Sequence, residues 1–256
     1  MENQINNFIS TLKSALFFEI ILVVFLVLSA FIISVVKKRQ EEGKAKTLLL
    51  TSSGLDIRVD ILKLLQKPSY NTSVAFIATA AKPEENQDYV KKDLQIMRDD
   101  MGFNVEEIDI EGKREADVMR MLEVKDIIFV EGGNTFYLLK AMQDCNFKKV
   151  IRTLLKRGIV YIGVSAGSIV AGKTIETVSW RNADKNTIGL KNLKGLNLVP
   201  FNIFVHYQST YDEIIKQKMK NPKKRQKQLK ILADGQALLV QGPNTYYLGQ
   251  GEPIVV

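Results

Sequence analysis

Strand-like and helix-like patterns of apolar and polar residues alternate along the chain from Thr47 onward. TLLLTSS precedes an amphipathic stretch over 56–66, and SVAFIATAA precedes a helical pattern over 84–101. Short apolar runs bounded by turn residues predict strands, and helical spacing predicts helices. Three further strand signals follow in NVEEIDI, DIIFVEGG and GIVYIGVS. Five strands separated by helical segments predict an α/β fold with a doubly wound, mostly parallel sheet.

Three of the predicted strands run into small or polar residues, in TAA, EGGNT and VSAGS. Ligands of parallel sheets bind beyond the carboxyl ends of the strands, so these three stretches predict a site at one edge. After His206 the pattern changes to a basic helical region and then to two β-like runs, ALLVQGPNTYYLG and EPIVV. Because no repeat or second boundary appears, residues 47–256 are predicted to form one domain.

A long apolar segment, ALFFEIILVVFLVLSAFIISVV, occupies residues 15–36. As a helix it would span about 33 Å, against a hydrocarbon core of roughly 30 Å. A cleaved signal peptide is one alternative, but the segment is long for one and no A-x-A-like site closes it. A buried core helix is the other. The sequence predicts a short N-terminal tail (1–14), one transmembrane helix (15–36) and a tether (37–46).

Charges beside the apolar segment predict its orientation. Lys37, Lys38 and Arg39 follow it directly, whereas Lys13 alone precedes it. The positive-inside rule therefore places the C-terminal domain in the cytoplasm, behind a single-pass anchor. The single cysteine, Cys145, fits a reducing compartment and is expected to be a half-buried helix residue.

The net charge of +8 comes from one segment, 216–230, which carries eight cations and no acid. It can be a solvated helix-loop-helix face, a contact with anionic lipid beside the anchor, or a site that attracts an acidic substrate. The segment contains no aromatic residue for base stacking and no recognisable motif, so nucleic acid is not an expected partner.

The stretch YIGVSAGSIVAGK has the form G-x-S-x-G, with Gly163 and Gly167 flanking Ser165. A nucleophile elbow has this pattern at a sharp strand-to-helix turn, although such turns also occur by chance in α/β proteins. A serine nucleophile needs a base within hydrogen-bond reach. His206 is the only histidine and follows the strand-like NIFV, so it can lie on the same rim as Ser165. A structural histidine is the alternative.

A carboxylate usually holds the imidazole of such a pair in the right tautomer. Between the serine and the histidine the only acids are Glu176 and Asp184. Asp184, in the polar loop RNADKN, is the preferred candidate; Glu176, or neither residue, stays open.

The oxyanion of a serine mechanism needs hydrogen-bond donors. The amide of Ala166, at the start of a predicted helix, is one candidate. A second donor is expected from Gly132 or Gly133, because glycine lets main-chain N–H groups approach a substrate closely.

Four segments together, VEGGNTFYLLKAM, YIGVSAGSIVAGKTI, DKNTIGL and FNIFVHY, resemble the dipeptidase E family of serine peptidases, the aspartyl dipeptidases, to which cyanophycinase is related. The resemblance runs from about Thr47 to the C-terminus. It implies a class I glutamine-amidotransferase-like α/β fold and a Ser-His-acid site without metal or cofactor. By position it places the nucleophile at Ser165, the base at His206, and substrate contacts at Gly132, Gly133 and Asn134.

The family also has an arginine after the histidine that is thought to bind the acidic side chain of the substrate. Arg225, in KKRQK, can be matched to that arginine, but the residues around Arg225 do not match the family's pattern. The sequence therefore predicts a membrane-anchored serine peptidase that hydrolyses short peptides, with N-terminal aspartyl dipeptides as candidate substrates. The alternative is a catalytically inactive, membrane-tethered scaffold or sensor with the same fold.

Overall fold

The structure is a computed structural model of the 256-residue chain, and it describes residues 45–181, 183–220 and 229–255. No helix in these ranges is long and apolar enough to cross a membrane. The predicted span at 15–36 lies outside them, so the span and its orientation stay predictions.

Nine strands and eight α-helices form within the described ranges. The strands are β1 (Thr47–Thr51), β2 (Ser73–Ile77), β3 (Asn104–Glu107), β4 (Ile127–Val130), β5 (Val160–Val164), β6 (Asn202–Phe204), β7 (Leu229–Ile231), β8 (Gln236–Gln241) and β9 (Asn244–Gly249). The helices are α1 (Arg58–Lys63), α2 (Asp88–Gln95), α3 (Glu115–Leu122), α4 (Thr135–Asp144), α5 (Phe147–Lys156), α6 (Ala166–Ala171), α7 (Val178–Arg181) and α8 (Asp212–Met219). Short 3-10 turns occupy Ser69–Asn71, Thr79–Ala81 and Ser209–Tyr211, and α2 continues into a π-helical turn at Ile96–Asp100.

Seven strands form one sheet in the order β3-β2-β4-β5-β1-β8-β9. The first five are parallel, and β8 and β9 add antiparallel strands beyond β1. Thr51 of β1 pairs with Val164 of β5, and Ile77 of β2 pairs with Val130 of β4. The carboxyl ends of the parallel strands therefore meet at one edge, which confirms the prediction of a mostly parallel sheet. A separate parallel pair is formed by β6 and β7.

Both faces of the sheet are buried. Successive side chains of a strand point to opposite faces. In β1, Leu48 and Leu50 pack in the core beneath α3, α4, α5 and α6, whereas Leu49 packs in the core beneath α1 and α2. Apolar runs buried on both sides are typical of doubly wound sheets, and they make a rigid base for the loops at the edge.

The C-terminal strand prediction is half right. ALLVQGPNTYYLG forms the β8–β9 hairpin, which turns at Gly242 with φ 57°. In contrast, EPIVV forms no strand over residues 252–255, and Pro253 has no amide hydrogen for a ladder bond.

The prediction for Cys145 needs a correction. The residue ends α4 and is 1% exposed rather than half-buried. Burial raises the pKa of its thiol to about 11, so a reactive thiolate is disfavoured there.

Candidate active site

Ser165 sits in a sharp turn between β5 and α6, with φ 47° and ψ −105°. Positive φ is uncommon for a residue with a Cβ and is often found at functional sites. The flanking glycines make this turn sterically feasible. A Cβ on Gly163 would lie 2.5 Å from the carbonyl oxygen of Gly167, and one on Gly167 would lie 2.1 Å from that of Val130. Close packing of the turn against β4 and β5 thus explains the G-x-S-x-G pattern.

Buried hydrogen bonds hold this elbow in place. The Ser165 amide donates to Thr51 O (3.0 Å), and the Tyr161 hydroxyl donates to Gly167 O (2.7 Å). Ser168 Oγ lies 2.8 Å from Thr51 O and 2.7 Å from Gly163 O. The elbow is therefore fastened to both β1 and β5, which fixes the direction of the Ser165 hydroxyl.

His206 lies against Ser165, as the sequence predicts. Its Nε2 is 2.9 Å from Ser165 Oγ, a hydrogen-bond distance. The residue follows β6 after Val205 and has φ 53°, and its amide donates to Ser52 Oγ (2.7 Å). This anchored, left-handed conformation turns the imidazole from the end of β6 towards the rim of the sheet.

The carboxylate on His206 is Asp234, and this corrects the prediction of Asp184. Asp234 Oδ1 lies 2.6 Å from His206 Nδ1 and accepts from Ser52 Oγ at 2.9 Å. Asp184 instead accepts from the Thr135 amide through Oδ2 (2.8 Å), at the start of α4. A serine, a histidine and an aspartate thus form a continuous hydrogen-bonded chain.

Asp234 lies in the turn between β7 and β8. It follows the apolar run ILA and precedes Gly235, which has φ 80°. Pairing of β8 with β1 brings this turn beside Ser52 and the end of β6. The sequence signal was an acid in a strand-ending turn, the same kind of signal that pointed to Ser165.

The two glycines after β4 pack closely against neighbouring segments, Gly132 against the elbow and Gly133 against the turn after β2. A Cβ on Gly132 would lie 3.3 Å from the Ser165 Cβ, and one on Gly133 would lie 2.4 Å from Ala80 O. The Gly132 amide donates to Glu131 Oε1 (2.7 Å), so it is already engaged. The amides of Gly133 and Ala166 meet no acceptor among the described residues, and they are the candidate oxyanion donors.

Asn134 shapes the neighbouring loop. Its Oδ1 accepts from the Tyr137 amide (3.0 Å), which caps α4, and its Nδ2 donates to Lys185 O (3.0 Å). Asn134 therefore positions the glycines and the Asp184 loop rather than lining the cavity. Arg225, the predicted arginine, lies outside the described residues.

A cavity of about 510 Å³ opens beside Ser165 and His206. Cavities of this size are typical of small-molecule and short-peptide sites. The charged side chains that line it are Asp56, Arg58, Glu84, Lys92, Asp93, Glu131, Arg181 and Asp184. The space next to the serine is thus bordered by both signs of charge.

Burial perturbs several acids of this cavity. Desolvation raises the pKa of Glu131 to about 8 and that of Asp93 to about 6. It also raises the pKa of Glu84, with a smaller effect from the nearby charge of Asp184. No cluster of His, Cys, Asp and Glu side chains in the described ranges could hold a metal ion.

Comparison with known proteins adds independent evidence. The model of peptidase family S51 matches residues 48–247. An uncharacterized peptidase of Listeria monocytogenes is 31% identical over 77% of this chain and 95% of its own length. The Drosophila melanogaster protein named "probable alpha-aspartyl dipeptidase" is 40% identical over 41% of each chain.

A solved structure is similar as well. A crystal structure from Listeria monocytogenes, assigned as a peptidase E, covers 81% of this chain and 100% of its own with a TM-score of 0.70 and 27% identity.

Proposed function

The chain belongs to peptidase family S51 and is a peptidase E-like serine peptidase, and we propose that it hydrolyses short peptides with Ser165, His206 and Asp234. One observation carries the assignment of these residues. Ser165 Oγ, both ring nitrogens of His206 and Asp234 Oδ1 form one chain, with distances of 2.9 and 2.6 Å. A serine acts as a nucleophile when such a base is held beside it.

In the proposed reaction, Ser165 Oγ attacks the carbonyl carbon of the scissile bond while His206 Nε2 takes the hydroxyl proton. Asp234 holds Nδ1–H and stabilises the imidazolium that forms. The N–H groups of Gly133 and Ala166 donate to the oxyanion. When the C–N bond breaks, His206 gives its proton to the leaving amine. His206 then deprotonates a water that attacks the acyl-serine, and the released serine oxygen recovers the proton.

The alternative of an inactive scaffold shares the fold but needs no activated serine. Two features support the enzyme instead: the serine is held at positive φ, and the imidazole already lies at hydrogen-bond distance. Backbone strain such as a positive φ costs stability, and it is found mainly at functional sites.

Within this proposal the substrates are dipeptides, with an N-terminal aspartate preferred. Arg181 supports the acidic preference. It lines the cavity, its Nη1 donates to Val205 O (3.1 Å) beside His206, and its buried Nε meets no acceptor among the described residues. A guanidinium binds a carboxylate through two parallel hydrogen bonds, so Arg181 takes the role expected of Arg225.

Replacement of Arg181 by methionine tests this substrate assignment. We expect kcat/KM for an aspartyl dipeptide to fall roughly 10- to 100-fold, because a charge-assisted pair is lost. The corresponding alanyl dipeptide should lose much less. The measurement is amino acid release from both peptides, with Arg58→Met, an exposed arginine on the same cavity, as the matched control. Equal losses for the two peptides would contradict the role of Arg181.

We also propose that residues 15–36 anchor the enzyme in a membrane with the peptidase domain in the cytoplasm, and that segment 216–230 contacts anionic lipid. The absence of charge from Ile20 to Val36 supports the anchor. The full chain should stay with membranes through an alkaline carbonate wash, and a chain starting at Ala45 should not. Weaker binding of the shorter chain to anionic vesicles as salt is raised would support the lipid contact. Release of the full chain by carbonate would refute the anchor.

A further inference from the structure

Glu131 is a buried acid directly beside the candidate oxyanion loop. It follows β4, precedes Gly132 and is 1% exposed. Its Oε1 accepts from the Gly132 amide at 2.7 Å, whereas its buried Oε2 has no hydrogen-bond partner when the group is ionised. Leaving a buried carboxylate oxygen without a donor is costly, so a proton is expected at or near Oε2.

Asp93, in α2, is a second buried acid near Glu131. It is 5% exposed and lines the same cavity as Glu131, and its charge adds to the effect of burial in raising the pKa of Glu131. A Cβ on Gly54 would touch both of its carboxyl oxygens, at 3.4 Å each, so the loop after β1 closes over it. Two carboxylates in such a place cannot both be ionised without strong repulsion. One proton between them gives each group a hydrogen bond.

The other charged groups around Asp93 and Glu131 do not make it favourable for both carboxyl groups to ionise. Lys92, on the same helix, lowers the pKa of Asp93, but Asp56 from the loop after β1 raises it, and burial outweighs both. Tyr89 faces the same cavity, and burial together with the charge of Glu131 and other acids raises its pKa, so it stays neutral. The remaining titratable or charged groups on the cavity are Arg58, Glu84, Arg181, Asp184 and His206.

We propose that Asp93 and Glu131 share one proton and that this pair positions the Gly132–Gly133 loop for catalysis. The inference rests on the proposed serine mechanism. By binding the Gly132 amide, Glu131 fixes the turn that leads into Gly133, which has φ 127° and lines the same cavity as Ser165. Both acids are positioning residues, since they act through the loop.

The pair makes the loop sensitive to alkaline pH. The folded protein holds a proton that the unfolded chain releases at the ordinary carboxyl pKa, so stability falls as pH rises from there to the raised pKa of Glu131, near 8. Above that pH the shared proton is lost. Repulsion then separates the two carboxylates, and Gly132 loses the fixed position of its acceptor.

Glu131→Gln gives a direct test, because its amide keeps the acceptor for Gly132 and donates permanently to Asp93. We measure the rate at which a fluorophosphonate probe labels Ser165 as a function of pH. The wild-type rate should fall about tenfold per pH unit above the titration of the pair. The rate of Glu131→Gln should not fall there, and Glu131→Ala should react roughly 10- to 100-fold more slowly than the wild type below that titration and show no further fall above it. Glu107→Gln, on the exposed edge strand β3, should behave like wild type.

Two measurements that need no reactive serine separate this inference from the proposed function. A protonated carboxyl band should appear in the infrared spectrum of the wild type at pH 7 and be lost in Glu131→Gln. The NMR resonances of the Gly132 and Gly133 amides should titrate with the pair in wild type only. The proposal would be overturned if the infrared band were absent or if the loop resonances did not change with pH. It would also be overturned if the labelling rate of Glu131→Gln fell at alkaline pH as in the wild type. A wild type that never reacts, but whose loop titrates, would refute the serine mechanism and keep the proton-sharing pair.

Discussion

Ser165→Ala should reduce dipeptide hydrolysis by about 10³- to 10⁶-fold while leaving the fold intact. The variant removes only the oxygen that lies 2.9 Å from His206 Nε2. Serine and alanine carry the same Cβ, so the strain at φ 47° is unchanged. The measurements are kcat/KM for dipeptides, labelling by a fluorophosphonate probe and the thermal unfolding temperature.

Ser168→Ala is the matched control for this variant. Its hydroxyl is buried between Thr51 O and Gly163 O, so its loss should lower the unfolding temperature. Labelling should persist, since Ser165 is still present. Wild-type turnover by Ser165→Ala would refute the mechanism, and a well-folded wild type that resists the probe would favour the scaffold alternative.

Asp234→Asn should lower kcat by about 10³- to 10⁴-fold, with little effect on stability. An amide at this position can donate to Nδ1, which favours the tautomer that leaves Nε2 protonated and unable to take the Ser165 proton. The side chain of Asp234 is 62% exposed, so the uncharged amide should be accommodated without unfolding. The measurement is kcat across pH, together with the unfolding temperature.

The matched control is Asp184→Asn. The amide oxygen can still accept from the Thr135 amide, so α4 keeps its contact. We expect a loss of less than about tenfold in kcat, because Asp184 borders the cavity without holding His206. The reverse order of losses would return the third position to Asp184.

These acids show where sequence reasoning reached its limit. The strands were predictable because each is a short apolar run, and Ser165 was predictable because close packing demands Gly163 and Gly167 beside it. His206 was constrained by being the only histidine. Each of these signals lies within a few residues of the feature that it marks.

The Glu131–Asp93 pair has no such local signal, and the strand-ending turn that carries Asp234 does not by itself point to His206. Asp234 reaches His206 because β8 pairs with β1, and these two strands are far apart in the sequence. Glu131 and Asp93 line one cavity because α2 packs beside the end of β4. A search limited to acids between Ser165 and His206 could not include any of the three.

The hydrogen bonds of the Ser52 hydroxyl link the assembly of the site to the order in which the chain is synthesised. This hydroxyl accepts from the His206 amide and donates to Asp234, and the bond to Asp234 depends on the pairing of β8 with β1. Because β8 follows β1 by most of the length of the domain, the nascent chain cannot bring the histidine and its carboxylate together until β8 has been synthesised. The proposed hydrolytic activity therefore requires β8 to be docked, and a chain without β8 would carry Ser165 without a stable His206–Asp234 pair.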